Sequence, residues 1–435
     1  MPFEGLGLHP HLVKAIRELG YTRPTPIQTE TIPAALAGRD IIGAAQTGTG
    51  KTAAFLMPIL QELILSPRKG TTRVLVLTPT RELAVQVADH LRQLAKYAPV
   101  RSIAIYGGVP MGPQTKALRS GVDVVIATPG RLLDHVRRGV AKLDQLAVLV
   151  LDEADRMLDM GFLPDIRTIV KALPKNRQTM LFSATMPNEI VKLSQEMMRD
   201  PVKINLGGEE KTPVGIRHAV YPVPRHLKTQ LLLTLLRETA MSSVLVFTRT
   251  KQGADRLAGV LEKEGFKTGR LHANRTQSQR LASLNAFRLG QLQVLVATDI
   301  AARGIDVEKI SHVINFDLPN SPETYIHRVG RTARAEAVGD AFTLVSQEEE
   351  RPLRVIEKKL GPAIPRVKLP DFNYRAAPAA KNRAPVKTEE IQRPKRARPF
   401  EKKEREERWK PRGKRPFWEG QHRSGKKSHP TFGSK

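Results

Sequence analysis

Residues 45–52 read AQTGTGKT, a glycine-rich turn that closes on a lysine and a threonine. An apolar run precedes it and the helical pattern AAFLMPILQELI follows. The stretch matches the phosphate-binding loop G-x-x-x-x-G-K-[ST] except at its first place, where Ala45 stands for glycine. Gly48 and Gly50 let the backbone aim its N–H groups at phosphate oxygens, and the next helix adds the positive end of its dipole. In such a loop Lys51 reaches the β- and γ-phosphates and Thr52 ligates Mg²⁺. A second stretch, AVLVLDEADRMLDMGF at 147–162, runs four apolar residues straight into Asp152, Glu153 and Asp155. Open parallel sheets bind ligands beyond the carboxyl ends of their strands, and Asp152 leaves such an end. There it can hold Mg²⁺ through water, while Glu153 can polarise a water that attacks a γ-phosphate. An acidic helix start would explain these acids taken alone. It does not explain them together with the phosphate loop.

The elements that must carry these residues follow from short apolar β-branched runs alternating with longer helical patterns. Candidate strands are Ile41–Ile42, Val74–Leu77, Ile103–Ile105, Val124–Ile126, Val148–Leu151 and Thr179–Phe182, then Val244–Phe247, Gly269–His272, Val294–Ala297, Val313–Phe316 and Ala341–Val345. This pattern predicts an α/β chain with two tandem doubly wound parallel-sheet domains. The expected bounds are 1–206 for the first domain, 207–217 for a Gly-, Pro- and charge-rich linker, and 218–362 for the second domain. Residues 363–435 are expected to form a disordered basic tail, poor in aliphatic side chains and rich in proline.

The 435 residues carry a net charge of +28, and residues 366–435, with 22 Lys and Arg against eight acids, hold half of it. Such a balance points to a polyanionic partner, nucleic acid before anionic membrane. No cysteine is present, which excludes disulfides, Cys-ligated zinc and thiol nucleophiles. No apolar run of about 18 residues occurs, so a cytoplasmic protein without a membrane partner is expected.

With these residues in view, the chain resembles the DEAD-box ATP-dependent RNA helicases from Phe3 to about residue 347, and most nearly bacterial members of the RhlE type. That resemblance implies RecA-like domains, ATP and Mg²⁺ as cofactors, and RNA as partner. GYTRPTPIQ (20–28) is similar to the family's adenine-reading segment: the Gln28 amide would pair with the base, with Tyr21 and the isolated Phe3 beside it. Gln46, Thr47 and Thr49 complete the phosphate loop. Pro79, Thr80 and Arg81 of PTREL, Gly108 of the Gly107–Gly108 pair, and Thr128, Pro129, Gly130 and Arg131 of TPGR would hold the RNA backbone. Physically they offer arginines, hydroxyls and turn N–H groups, which suit phosphates rather than base edges. Ser183, Ala184 and Thr185 would link nucleotide to domain closure.

In the second domain Arg249, Arg280, Thr298 and Arg303 resemble RNA-side residues, and Asp306 a ribose contact. Within YIHRVGRTARA (325–335), Arg331 and Arg334 lie three apart, one face of a helix, and look like arginine fingers for the γ-phosphate. His327 and Arg328 would bridge to the first domain. Ala333 stands where the family commonly has glycine. The resemblance implies local unwinding of short duplexes or remodelling of RNA–protein complexes with low sequence specificity. An ATP-regulated RNA clamp or chaperone is the alternative. Trp409, Phe417 and Trp418 in the tail fit base stacking and a ribonucleoprotein or RNA-decay partner equally well.

Overall fold

The computed structural model of the chain describes residues 2–45, 48–67, 70–205, 216–239, 241–302, 310–332 and 339–377. Two parallel sheets form within one compact unit, Met1–Pro378. The first contains β1 (Ile41–Ala44), β2 (Val74–Leu77), β3 (Ser102–Ile105), β4 (Val124–Ala127), β5 (Val148–Leu151), β6 (Gln178–Ser183) and β7 (Val202–Asn205), in the order β3-β4-β2-β5-β6-β1-β7. The second contains β8 (Ile216–Pro222), β9 (Val244–Phe247), β10 (Thr268–Leu271), β11 (Val294–Ala297), β12 (His312–Asn315) and β13 (Gly339–Val345), in the order β10-β11-β9-β12-β13-β8.

The central strands are apolar at every position because both faces are covered. Val74, Val76, Val148 and Val150 pack with the helices Pro10–Glu18, Pro26–Leu36, Lys51–Leu65 and Arg81–Leu94. Their neighbours Leu75, Leu77, Leu149 and Leu151 face the opposite core, under Pro129–Arg137, Leu163–Lys171 and Asn188–Met197. Each fully buried Val or Leu contributes roughly 1.5–3 kcal/mol relative to exposure. The second sheet repeats the plan, with Val244, Val246, Val294 and Val296 on one face and Leu245, Phe247, Leu295 and Ala297 on the other.

Register then sets the functional rim. Leu77 pairs with Leu151, Leu151 with Leu181, and Ala44 with Ser183. Thr78, Asp152, Ser183 and Ala45 therefore leave the sheet along one edge.

Three expectations change. The edge strand β7 has only one buried side chain, Ile204, too little pattern to announce a strand. The linker expected over 207–217 overlaps β8, which starts at Ile216; its proline-ended sequence, IRHAVYP, suits an edge. The tail expected from 363 first packs back on the second domain. Val220 N–H donates to Pro365 O and Val367 N–H to Val220 O, both at 2.8 Å, in a parallel bridge along the free edge of β8. Leu369, Phe372, Tyr374 and Ala376 then join the core around Tyr221 and Val223. His226 Nε2 meets Ala376 O at 2.9 Å. The rest of the expected tail, from 378, lies outside the described residues.

Candidate functional site

The phosphate loop is gripped from behind by the segment expected to read adenine. Thr25 Oγ1 donates to Thr49 O at 2.8 Å, and Gln28 Nε2 donates to Gly50 O at 3.2 Å. Gln28 Oε1 accepts from Thr25 N–H at 3.0 Å. Gly50 has φ +93°, and a Cβ there would lie 2.5 Å from Gln28 Nε2, so both the turn and the close approach require glycine. Gln28 thus engages both ends of its amide with the chain, which the expectation of base reading did not include. Phe3 is buried in the core of the first helices and stacks on Tyr21, ring centroids 6.3 Å apart. The Tyr21 hydroxyl meets His90 Nε2 at 3.0 Å. Lys51, buried, donates from Nζ to Ala45 O at 2.5 Å. Burial pushes its ammonium down, against the pull of Asp152, Glu153 and Asp155.

The three acids Asp152, Glu153 and Asp155 sit on a strained turn. Glu153 has φ 54° and ψ 54°, a left-handed conformation that costs a non-glycine residue about 1–3 kcal/mol. Burial, and then the neighbouring Glu153, push the Asp152 carboxyl up to about 7, with Lys51 opposing. Burial also works on Glu153, but Arg156, Arg331 and Lys51 hold its carboxyl below the ordinary value. Arg156 is ion-paired with Glu153. Asp155 Oδ2 accepts from Ala184 N–H (3.1 Å), Thr185 N–H (2.9 Å) and Thr185 Oγ1 (3.0 Å), while its own N–H donates to Ser183 Oγ at 3.1 Å. The small polar turn after β6 is thereby fixed to the acids after β5.

The second domain reaches into the same crevice. Arg331 is buried, its Nε donates to His327 O at 3.2 Å, and its charge acts on Glu153. Burial and then Arg156 push its guanidinium down to about 9, still charged at neutral pH. Burial takes His327 down to about 4, with Arg156 and Asp155 beside it. Arg328, expected to bridge to the first domain, instead holds its own. It donates to Asp299 Oδ1 (2.5 Å) and Oδ2 (2.8 Å), Asn315 Oδ1 (3.0 Å) and Asp317 O (2.7 Å). Such a bidentate pair leaves little of the guanidinium for another partner.

At the expected RNA rim, Arg81 lies over the Gly107–Gly108 turn, and Arg131 Nη1 donates to Val109 O at 3.1 Å. Thr80 caps the helix Arg81–Leu94 by accepting from Leu83 N–H at 3.2 Å, and Thr250 does the same for Lys251–Lys263 from Gly253 N–H at 3.0 Å. Thr128 and Pro129 are buried at the start of their helix, and Gly130 follows half-buried. Arg249 is exposed, its N–H tied to Asp317 Oδ2 at 2.8 Å; Thr298 is buried at the end of β11. Arg280, expected on the RNA side, is buried and paired with Glu82 Oε2 at 3.0 Å, and Gln277 Nε2 donates to Glu82 Oε1 at 2.7 Å. Those contacts join the two domains. The capping box of Thr276 and Gln279 starts the helix that presents both.

Gln46, Thr47, Arg303, Asp306 and Arg334 lie outside the described residues. Sequence reasoning named Asp155 without giving it a role and passed over Arg156, Glu82 and Gln277. Their signal is a polar residue that the fold buries.

Residues 25–193 match the DEAD/DEAH box helicase family model, and residues 227–336 the helicase conserved C-terminal domain. The ATP-dependent RNA helicase CshA of Listeria monocytogenes is 43% identical over 82% of this chain and 68% of its own length. The DEAD-box ATP-dependent RNA helicase CshA of Geobacillus kaustophilus is 42% identical over 85% of this chain and 79% of its own. The solved structure of Saccharomyces cerevisiae Dbp5 bound to RNA and ADP BeF3 superposes with a TM-score of 0.77 at 32% identity, covering 84% of this chain and 95% of that one. The names of these relatives do not place the chain in the RhlE-type subgroup. Kinship of that depth, running through both domains, settles the affiliation: the chain belongs to the DEAD-box family of ATP-dependent RNA helicases.

Proposed function

We propose that this RNA-stimulated ATPase uses closure of its two domains to bend a single RNA strand and open short duplexes or remodel RNA–protein complexes. One observation supports this above others: Arg331 of the second domain is buried near the Glu153–Arg156 ion pair of the first, where its charge helps hold the Glu153 carboxyl down. Hydrolysis then needs both domains, as where an arginine completes a site from across an interface.

In this reading the phosphate-loop N–H groups and Lys51 hold the triphosphate, Glu153 orients the attacking water, and Arg331 with Arg334 stabilises the charge on the transferring phosphoryl group. Phe3, Tyr21 and Gln28 border the base, and Asp306 the ribose. Mg²⁺ fits the residues present: Thr52 offers a hydroxyl, and the buried Asp152, pushed up to about 7, is a carboxylate that a cation would return to its ionised form. Thr52 and Asp152 would hold the ion, which would supply neutralisation of the charge on the transferring phosphoryl group. Among the described residues no cluster of three or more His, Asp or Glu could hold a metal. Ser183, Thr185 and His327 connect these groups to closure, and Arg81, Arg131 and Arg249 take the strand. A cytoplasmic setting, where ATP and transcripts meet, belongs to the same proposal, as do RNA or ribonucleoprotein partners for the tail. Among the described residues no helix is long and apolar enough to cross a membrane.

The experiment is Glu153→Gln, which keeps shape and removes the carboxylate. RNA-stimulated hydrolysis should fall by about 10²-fold or more with nucleotide binding retained. Near-normal turnover would refute the assignment.

A further inference from the structure

Gln114 has no role in the chemistry above, yet its buried side chain ties two of the proposed RNA-facing loops together. It lies on the helix Met111–Arg119, between the turn that follows β3 and the helix Pro129–Arg137. Gln114 Nε2 is 3.0 Å from Tyr106 O, and a carbonyl only accepts, so this end of the amide donates. Oε1 must therefore accept from the two groups it faces, Arg131 Nη1 at 3.4 Å and His135 Nε2 at 3.2 Å.

That order fixes the imidazole as well. His135 is fully buried and carries its proton on Nε2. Nδ1 has no partner among the described residues, which costs less for a lone pair than for an orphaned N–H. Burial and then Arg131 hold the ring in its neutral form.

The turn so anchored is where two guanidinium groups converge. Gly108 has φ +81°, and a Cβ there would fall 2.0 Å from Arg81 Nη1. A Cβ on Gly107 would lie 3.4 Å from Arg81 Nη2 and 3.9 Å from Arg131 Nη2. A small change in the angle of the turn would move both.

We propose that Gln114 is a positioning residue that locks the Gly107–Gly108 turn to Arg131, so that the first domain presents its phosphate-facing donors in one fixed arrangement. This rests on the RNA-side reading of Arg131. A residue needed only to fill the space would be replaced without loss by methionine, which is similar in length and volume and has no amide.

The test measures ATPase stimulation by a short oligouridylate in the full chain, with affinity for a fluorescent ATP analogue measured without RNA. Gln114→Met should raise the half-saturating RNA concentration about tenfold, the scale of one charge-assisted hydrogen bond. Turnover at saturating RNA and nucleotide affinity should stay within about twofold. Gln114→Glu keeps the acceptor for Arg131 and His135 but has no N–H for Tyr106 O, so it releases the turn and should raise the half-saturating RNA concentration about tenfold as well. Combined with Arg131→Ala, Gln114→Met should add nothing to the loss from Arg131→Ala alone. Additive losses, an unchanged RNA dependence, or a parallel fall in nucleotide affinity would each overturn the role of Gln114. An Arg131→Ala variant with normal RNA dependence would instead overturn the RNA-side reading. If Gln114→Met does not melt cooperatively, Gln114→Glu decides by the same readouts.

Discussion

At the scale of single residues, burial decides which groups keep their charge. Asp152 and Glu153 are neighbours in one buried turn, yet their carboxyl groups move in opposite directions: Glu153 is ion-paired with Arg156 and lies near Arg331, whereas at Asp152 burial and the charge of Glu153 outweigh Lys51 and Arg156. His90 shows the same force without a charged partner: burial beside Tyr21 takes it from 6.5 down to about 4. Between those values the unfolded chain binds a proton that the native chain refuses. The contribution is complete above pH 6.5 and is lost as the pH falls toward about 4, on the order of 3 kcal/mol over the window. His90→Gln, which can still bond to the Tyr21 hydroxyl, should flatten the acid limb of a plot of Tm against pH. An acid limb as steep as that of the parent chain would show that His90 titrates normally.

At the scale of elements, the helix Arg81–Leu94 carries two kinds of contact on its first turn. Arg81 faces the glycine turn, and Glu82 takes Gln277 and Arg280 of the second domain. The ion pair exists only while the domains meet; once they part, both charges can return to water. Glu82→Gln should therefore leave Tm within a few degrees but reduce RNA-stimulated turnover about tenfold or more, because a buried Arg280 without its carboxylate penalises the closed form. Interdomain fluorescence transfer in the presence of RNA and an ATP analogue checks it: closure equal to that of the parent chain would mean the latch contributes nothing. This pairing also marks the limit of sequence reading. The central strands were legible because strands covered on both faces are apolar throughout, and GKT and DEAD were legible because each motif is local. Glu82 and Gln277 are 195 residues apart, and nothing local in either stretch reveals the pairing. In sequence Arg280 is expected on the RNA side and Arg328 as a bridge to the first domain. Only the fold supplies the acids that engage them. The edge strands β7 and β8 escaped notice because a half-covered strand of mixed polarity resembles a loop.

At the scale of the whole molecule, charge is unevenly placed. Residues 378–435 carry 19 Lys and Arg and seven acids, a net of +12 out of +28. Ending the chain at 377 should weaken RNA binding and lower the slope of log affinity against log salt. Each phosphate that the shortened chain no longer neutralises takes about 0.7 off that slope on a single strand. Tm should be unchanged. Ending it at 362 should in addition lower Tm by several degrees, because Phe372 and Tyr374 leave the core around Tyr221. Equal Tm for the two lengths would show that residues 363–377 add nothing to the domain. Their path has a mechanical meaning too. By running beside β8 and fastening at His226, they moor the root of the basic extension to the half of the machine that supplies Arg331. On the proposed reading, RNA held by residues 378–435 would follow the second domain as the two domains close.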